Sequence, residues 1–219
     1  RGRVSALSLP HMLTADSPRG TMVTQEWMIN LDSFLIIFFV VWISHLVAKM
    51  RRVQSIFWGI ALSSAGLMLA GFTMSGALCL LGIAVFAVGE MLASPKMNDY
   101  LGVIAPEGQK GLYMGYANMP TAVGWCIGSL LAGRIYDTQG DKANLALRYL
   151  KEHQNMTAGV ERTGAMEALQ KALNLDPNAA TRLLWDTYHP WQLWIPFALI
   201  GVGSAVGIFF YARWVRQYE

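Results

Sequence analysis

Charged residues are scarce in this sequence. Asp, Glu, Lys and Arg make up 14% of its 219 residues, where a soluble domain carries about 25%. That deficit excludes a disordered chain and argues against an ordinary soluble domain. Basic charge is also thin: the net charge is +3, and the lysines and arginines are scattered rather than gathered on one stripe. A nucleic-acid-binding module is therefore excluded. Two cysteines supply neither a disulfide framework nor a metal-site spacing. Four dispersed histidines (His11, His45, His153, His189) give no HExxH motif and no Ser/His/Asp set. No catalytic residue, metal ligand or cofactor is assigned, and an enzyme is not expected.

Apolar residues are what the chain has: 54% are hydrophobic. A membrane-crossing helix needs about 20 largely apolar residues, set by a hydrocarbon core roughly 30 Å thick. Five stretches qualify: Ile29–Ala48, Ser55–Thr73, Gly76–Ala93, Gly111–Gly133 and Trp191–Ala212. The reading is an all-α, multi-pass integral membrane protein in a lipid bilayer. Residues 1–28 form an external segment or the end of a truncated helix. Residues 29–135 hold four transmembrane helices, and 191–219 the last helix and a tail. Lys49, Arg51 and Arg52, then Lys96 and Lys110, then Arg213 and Arg216 all fall at one side of this arrangement. By the positive-inside bias that side is cytoplasmic, and the C-terminus lies there. Trp191, Trp194, Trp214 and Tyr218 bracket the last span as an interfacial belt. A plasma (inner) membrane location follows. The external start and odd number of spans lead to the expectation of a fragment.

Residues 136–190 carry much of the remaining charge in helical patterns. LALRYLKEH starts at Leu145, AMEALQKALN at Ala165, and ATRLLWDTY at Ala179, after Asp176 as N-cap and Pro177 at the first helical position. The expectation is an external cap of short amphipathic helices. Asn155-Met156-Thr157 fits a glycosylation sequon.

Inside the spans, Glu90 is the one deep carboxylate. Such a group by default marks an ion or substrate path, and it can carry a proton. Asp32 lies within a turn of the outer surface and reads as interfacial, as does His45 at the other end. Asn30 and Asn118 read as polar groups lining a cavity. Pro95 and Pro120 break backbone hydrogen bonding within spans and read as gating kinks. Gly124-x-x-x-Gly128 reads as a helix-packing face.

These motifs carry a resemblance. Gly89-Glu90-Met91-Leu92-Ala93-Ser94-Pro95, Ala105-Pro106, Gly111 and Met114-Gly115 resemble the tenth and eleventh helices of the major facilitator superfamily. With Ala122-Val123-Gly124 and Leu131-Ala132-Gly133 they look like its proton-dependent oligopeptide transporter branch. Asn30 with Phe34–Ile37 is similar to the start of helix eight, and Lys49–Arg52 to the loop between helices eight and nine. The likeness covers roughly residues 25–135 and 191–216. It implies transmembrane helices 8–12 of that fold, with a helical insert between the last two. The implied partners are the missing N-terminal half, protons and a small-molecule substrate. In that branch the glutamate matching Glu90 engages a peptide amino group, and the asparagine matching Asn30 lies nearby. The implied function is proton-coupled uptake of small solutes, di- and tripeptides favoured. Ala117-Asn118, Lys96 and the long cap depart from the branch pattern. A drug or metabolite exporter of the same superfamily is a second reading. A non-transporting scaffold or receptor acting through the cap is a third.

Overall fold

The computed structural model describes residues 14–15, 22–23, 25–154 and 160–215. The sequon, Arg216 and Tyr218 lie outside the described residues, as does most of 1–28. Two short strands, β1 (Thr14–Ala15) and β2 (Met22–Val23), pair antiparallel with Thr14 opposite Val23. Apart from them the architecture is helical. The long helices are α1 (Gln25–Val47), α2 (Arg52–Gly71), α3 (Gly76–Ile104), α4 (Lys110–Ile135) and α8 (Ile195–Val215). The short ones are α5 (Lys142–Gln154), α6 (Ala165–Leu173) and α7 (Pro177–Tyr188).

Four segments among the described residues are long and apolar enough to cross a membrane: Asn30–Val47, Arg52–Gly71, Gly76–Ile104 and Pro190–Trp214. The protein is thus an all-α membrane protein. The fifth expected span does form a continuous 26-residue helix, α4, but it falls short of the other four in apolarity. Asn118, Thr121 and five glycines dilute its hydrophobic surface.

The chain falls into two compact units. One combines the residues up to Thr121 with those from Trp194, and the other is Ala122–Leu193. In the first, α2 packs on both α3 and α8, and α1 packs on α3. The α2–α3 seam is built from small residues. A Cβ on Gly59 would lie 2.7 Å from the Gly89 carbonyl and from Ala93, and one on Gly82 would lie 2.6 Å from the Ala70 nitrogen. Glycine is required there because backbone meets backbone. By contrast, a Cβ on Gly124 or Gly128 would meet nothing within 4 Å. The close backbone packing of Gly59 and Gly82 lies on α2 and α3.

The apolar stretch of the third span reads as far as Ala93, with Lys96 between spans. The helix α3 runs on through Pro95 to Ile104, which places Lys96 on the helix rather than in a loop. Proline removes one intrahelical donor, the one that would reach the Met91 carbonyl, and α2 holds the neighbouring turn. The Ser55 hydroxyl, wholly buried, donates to the Leu92 carbonyl at 2.9 Å, one turn before the proline. Pro120 likewise lies inside α4 without ending it.

The second unit contains the expected cap. Its core is Leu145, Ala146, Leu150, Ala165, Leu169, Ala180 and Leu184, all at most 2% exposed. These positions come from α5, α6 and α7 at helical spacing, so three amphipathic helices close one core. Asp176 caps α7 as the sequence indicates, accepting from Asn178 N at 3.0 Å and Ala179 N at 3.2 Å. Asn174 and His189 end α6 and α7 in the left-handed conformation, at φ 49° and 51°. Asn suits that position because its short polar side chain tolerates positive φ.

Candidate functional site

Glu90 is positioned by the glycine before it. Gly89 lies against Gly59 and Ser63 of α2, and the next residue on a helix is turned by about 100°. Glu90 therefore leaves the α2 seam, and its charge acts on Asp32 of α1. Both carboxylates are half-buried. The Asp32 Oδ1 atom is buried and has no hydrogen-bond partner among the described residues. The structure thus sets Glu90 on a helix packed against the one that carries Asp32, a residue that the sequence alone marks as interfacial. Like charges on two packed helices disfavour each other. A proton or a bound cationic group relieves that repulsion. Unlike buried oxygens that are hydrogen-bonded, Asp32 Oδ1 retains a free acceptor for it.

The other expected site residues lie elsewhere. Asn30 is exposed on α1. Two residues from Asp32 on a helix, it is turned about 200° away. Asn118 is exposed on α4, and its amide donates to the Met114 carbonyl of its own helix at 3.3 Å. Neither hydrogen-bonds to Glu90 among the described residues. Sequence reasoning missed Asp32 as a partner because 58 positions separate it from Glu90. The available signal was a second acid in an otherwise apolar span.

At the basic end of the first unit, Arg52 Nε donates to Asp99 at 2.6 Å, and the hydroxyls of Tyr100 and Tyr211 hydrogen-bond to each other. These contacts tie the start of α2 and the end of α8 to the last turns of α3. Both Asp99 and Tyr100 lie beyond Pro95, so they exist as partners only because α3 continues.

The cap has its own polar framework. Arg162 bridges Asp141 and Asp137, the latter at 3.2 Å. Asp141 also caps α5, accepting from Ala143 N at 2.7 Å and Asn144 N at 3.3 Å. Burial alone pushes the Asp141 carboxyl up. The Arg162 hydrogen bond and the two amides outweigh that and hold it below the ordinary carboxylate range. Arg148 donates to Glu152 at 2.8 Å, Tyr188 donates to the other Glu152 oxygen at 2.7 Å, and the Arg148 guanidinium lies 4.7 Å from the Tyr188 ring centre. Those hydrogen bonds, Arg148 first, lower Glu152. Burial and then the Glu152 contact raise the Tyr188 phenol. No group of acids, histidines and cysteines able to hold a metal occurs among the described residues.

Comparison with known proteins adds one local likeness. The chain is 33% identical over 64 residues to an uncharacterized MFS-type transporter, YttB, of Bacillus subtilis (strain 168). The chain resembles a transporter there. The matched stretch is 29% of this chain and 16% of that relative, so it covers a small part of a much longer protein. No family model matches, and no solved structure matches. The likeness agrees with the superfamily expected from the sequence and carries no information about the oligopeptide branch.

Proposed function

We propose that this chain is part of a secondary active transporter of the major facilitator type, in which the Asp32–Glu90 pair couples solute movement to protons. The observation that carries the proposal is the buried Asp32 Oδ1, without a hydrogen-bond partner among the described residues, on an apolar helix packed against the one that bears Glu90. Intramembrane carboxylates persist where they carry ions or bind substrate, and the local likeness to a transporter supports the same reading. A substrate ammonium group can replace the proton at such a pair, which favours small amino-terminated solutes such as di- and tripeptides.

In this reading the five long helices take the places of helices eight to twelve, and a further six-helix half completes the central path. The basic loops and the C-terminus face the cytoplasm. Asn30 and Asn118 line the path near its ends, Pro95 and Pro120 act as joints, and the Gly124–Gly128 face of α4 packs against the other half.

The test uses the full-length protein in proteoliposomes with an imposed inward proton gradient. Accumulation of labelled dialanine is compared with that of ethidium. Dialanine uptake in the wild type, abolished by Glu90→Gln and reduced about 10-fold or more by Asp32→Asn, is expected. Gradient-driven uptake at the wild-type rate in Glu90→Gln would sink the role of the pair. Movement of ethidium alone would favour the exporter.

A further inference from the structure

A second site lies at the basic end of the first unit, away from the acidic pair. The start of α2, the last part of α3 and the end of α8 enclose a cavity of about 610 Å³. Three arginines line it, Arg51, Arg52 and Arg213, and no carboxylate does. Asp99 engages Arg52, while Arg51 and Arg213 have no ion-pair partner among the described residues. Arg51 is also the N-cap of α2, and its side chain caps nothing. The amides of Arg52, Val53 and Gln54 therefore lack intrahelical acceptors and add positive field to the same cavity.

The lining changes character with depth. Phe57 and Trp58 lie five to six residues further along α2 than the arginines, which is about 8 Å at 1.5 Å per residue. Phe209 lies one turn before Arg213 on α8, and its ring centre is 6.1 Å from that of Phe57. Trp58 and Phe209 remain 52% and 54% exposed on helices apolar enough to span a bilayer. The cavity is thus cationic at the end of the helices and aromatic one to two turns deeper, and its aromatic side chains remain half exposed. A phospholipid has the matching order, phosphate first and acyl chain below it.

We propose that this cavity binds one anionic phospholipid, its phosphate held by Arg51 and Arg213 and the upper part of an acyl chain laid against Phe57, Trp58 and Phe209. The absence of a lining carboxylate selects the lipid class. No lining carboxylate pairs with the quaternary amine of a choline headgroup, whereas excess arginine charge rewards a net negative one. The inference requires only that the helices lie in a bilayer and does not rest on the transport reading.

The experiment is native mass spectrometry of purified full-length protein in mixed micelles containing dioleoyl phosphatidylglycerol or dioleoyl phosphatidylcholine. The expected result is retention of one phosphatidylglycerol at energies that strip phosphatidylcholine. Arg51→Gln with Arg213→Gln is expected to weaken that retention roughly 20-fold. The double lysine variant, which keeps the charge, is expected to preserve the lipid preference and serves as the folding control. Equal retention of the two lipids, or undiminished retention in the glutamine variant, would overturn the proposal. So would displacement of the lipid by millimolar inorganic phosphate, which would make free phosphate the ligand. Because the readout contains no uptake measurement, a failed transport assay leaves it unaffected.

Discussion

Asp141 does two things at once: it caps α5 through two backbone amides and receives Arg162. Removing it by Asp141→Ala should cost the cap about 1 kcal/mol at neutral pH, the usual value of an N-cap carboxylate. Hydrogen exchange at Ala143 and Asn144, followed by mass spectrometry, measures this. The folded-state carboxyl lies below its ordinary value of 3.8, so its stabilisation is complete above that pH and fades as the pH falls below it. The difference between wild type and variant should therefore shrink in acid and stay constant from pH 5 upward. A gap that widened in acid would contradict the assignment. Local chemistry of this kind is readable in sequence, as the Asp176-Pro177 cap of α7 shows, because donor and acceptor are two or three residues apart. The Asp32–Glu90 pair and the Ser55–Leu92 bond were not readable. They join residues of different helices, and no spacing rule specifies which turn of one helix faces which turn of another.

Among elements, the α2–α3 seam shows what glycine spacing does and does not say. Gly66 touches Gly82 and Phe86, and a Cβ there would lie 2.7 Å from the Gly82 carbonyl. Gly66→Ala should thus force backbone apart and cost about 1–3 kcal/mol as overpacking. The thermal unfolding midpoint of the purified protein, read by tryptophan fluorescence, should fall. Gly89→Ala should behave the same way because it meets Gly59 and Ser63. An unchanged midpoint in both would show that the seam is looser than described. The sequence displays Gly59, Ser63, Gly66 and Ala70 at alternating spacings of four and three, as plainly as it displays Gly124-x-x-x-Gly128. A small-residue stripe states that something can approach closely, but not what does. The position of the apolar spans was legible because burial in lipid demands a length that composition alone reveals. The true end of α3 was not. A proline inside a helical pattern does not by itself say whether the helix ends there or runs on, and here α3 runs on to Ile104.

At the scale of the whole molecule, a compact water-type core occurs in a chain otherwise dominated by apolar spans. Leu169 is wholly buried among Leu145, Leu150 and Leu184, so Leu169→Ala should cost about 2–5 kcal/mol. For a core this small, that loss should raise amide exchange across α5, α6 and α7 together. Exchange along α2 and α3 should remain as in the wild type. If Leu169→Ala changed both sets equally, the two compact units would not be separate folding units. The hairpin of α2 and α3 also bears on how the protein is made. Only Phe72–Ser75 separates the two helices, and their glycine seam needs no other element to complete it. Translation then continues through about 90 residues before α8 begins, roughly 5–18 s at ribosomal speeds. The hairpin can enter the bilayer and close during that interval, leaving its outer face to lipid until the last helix is synthesised.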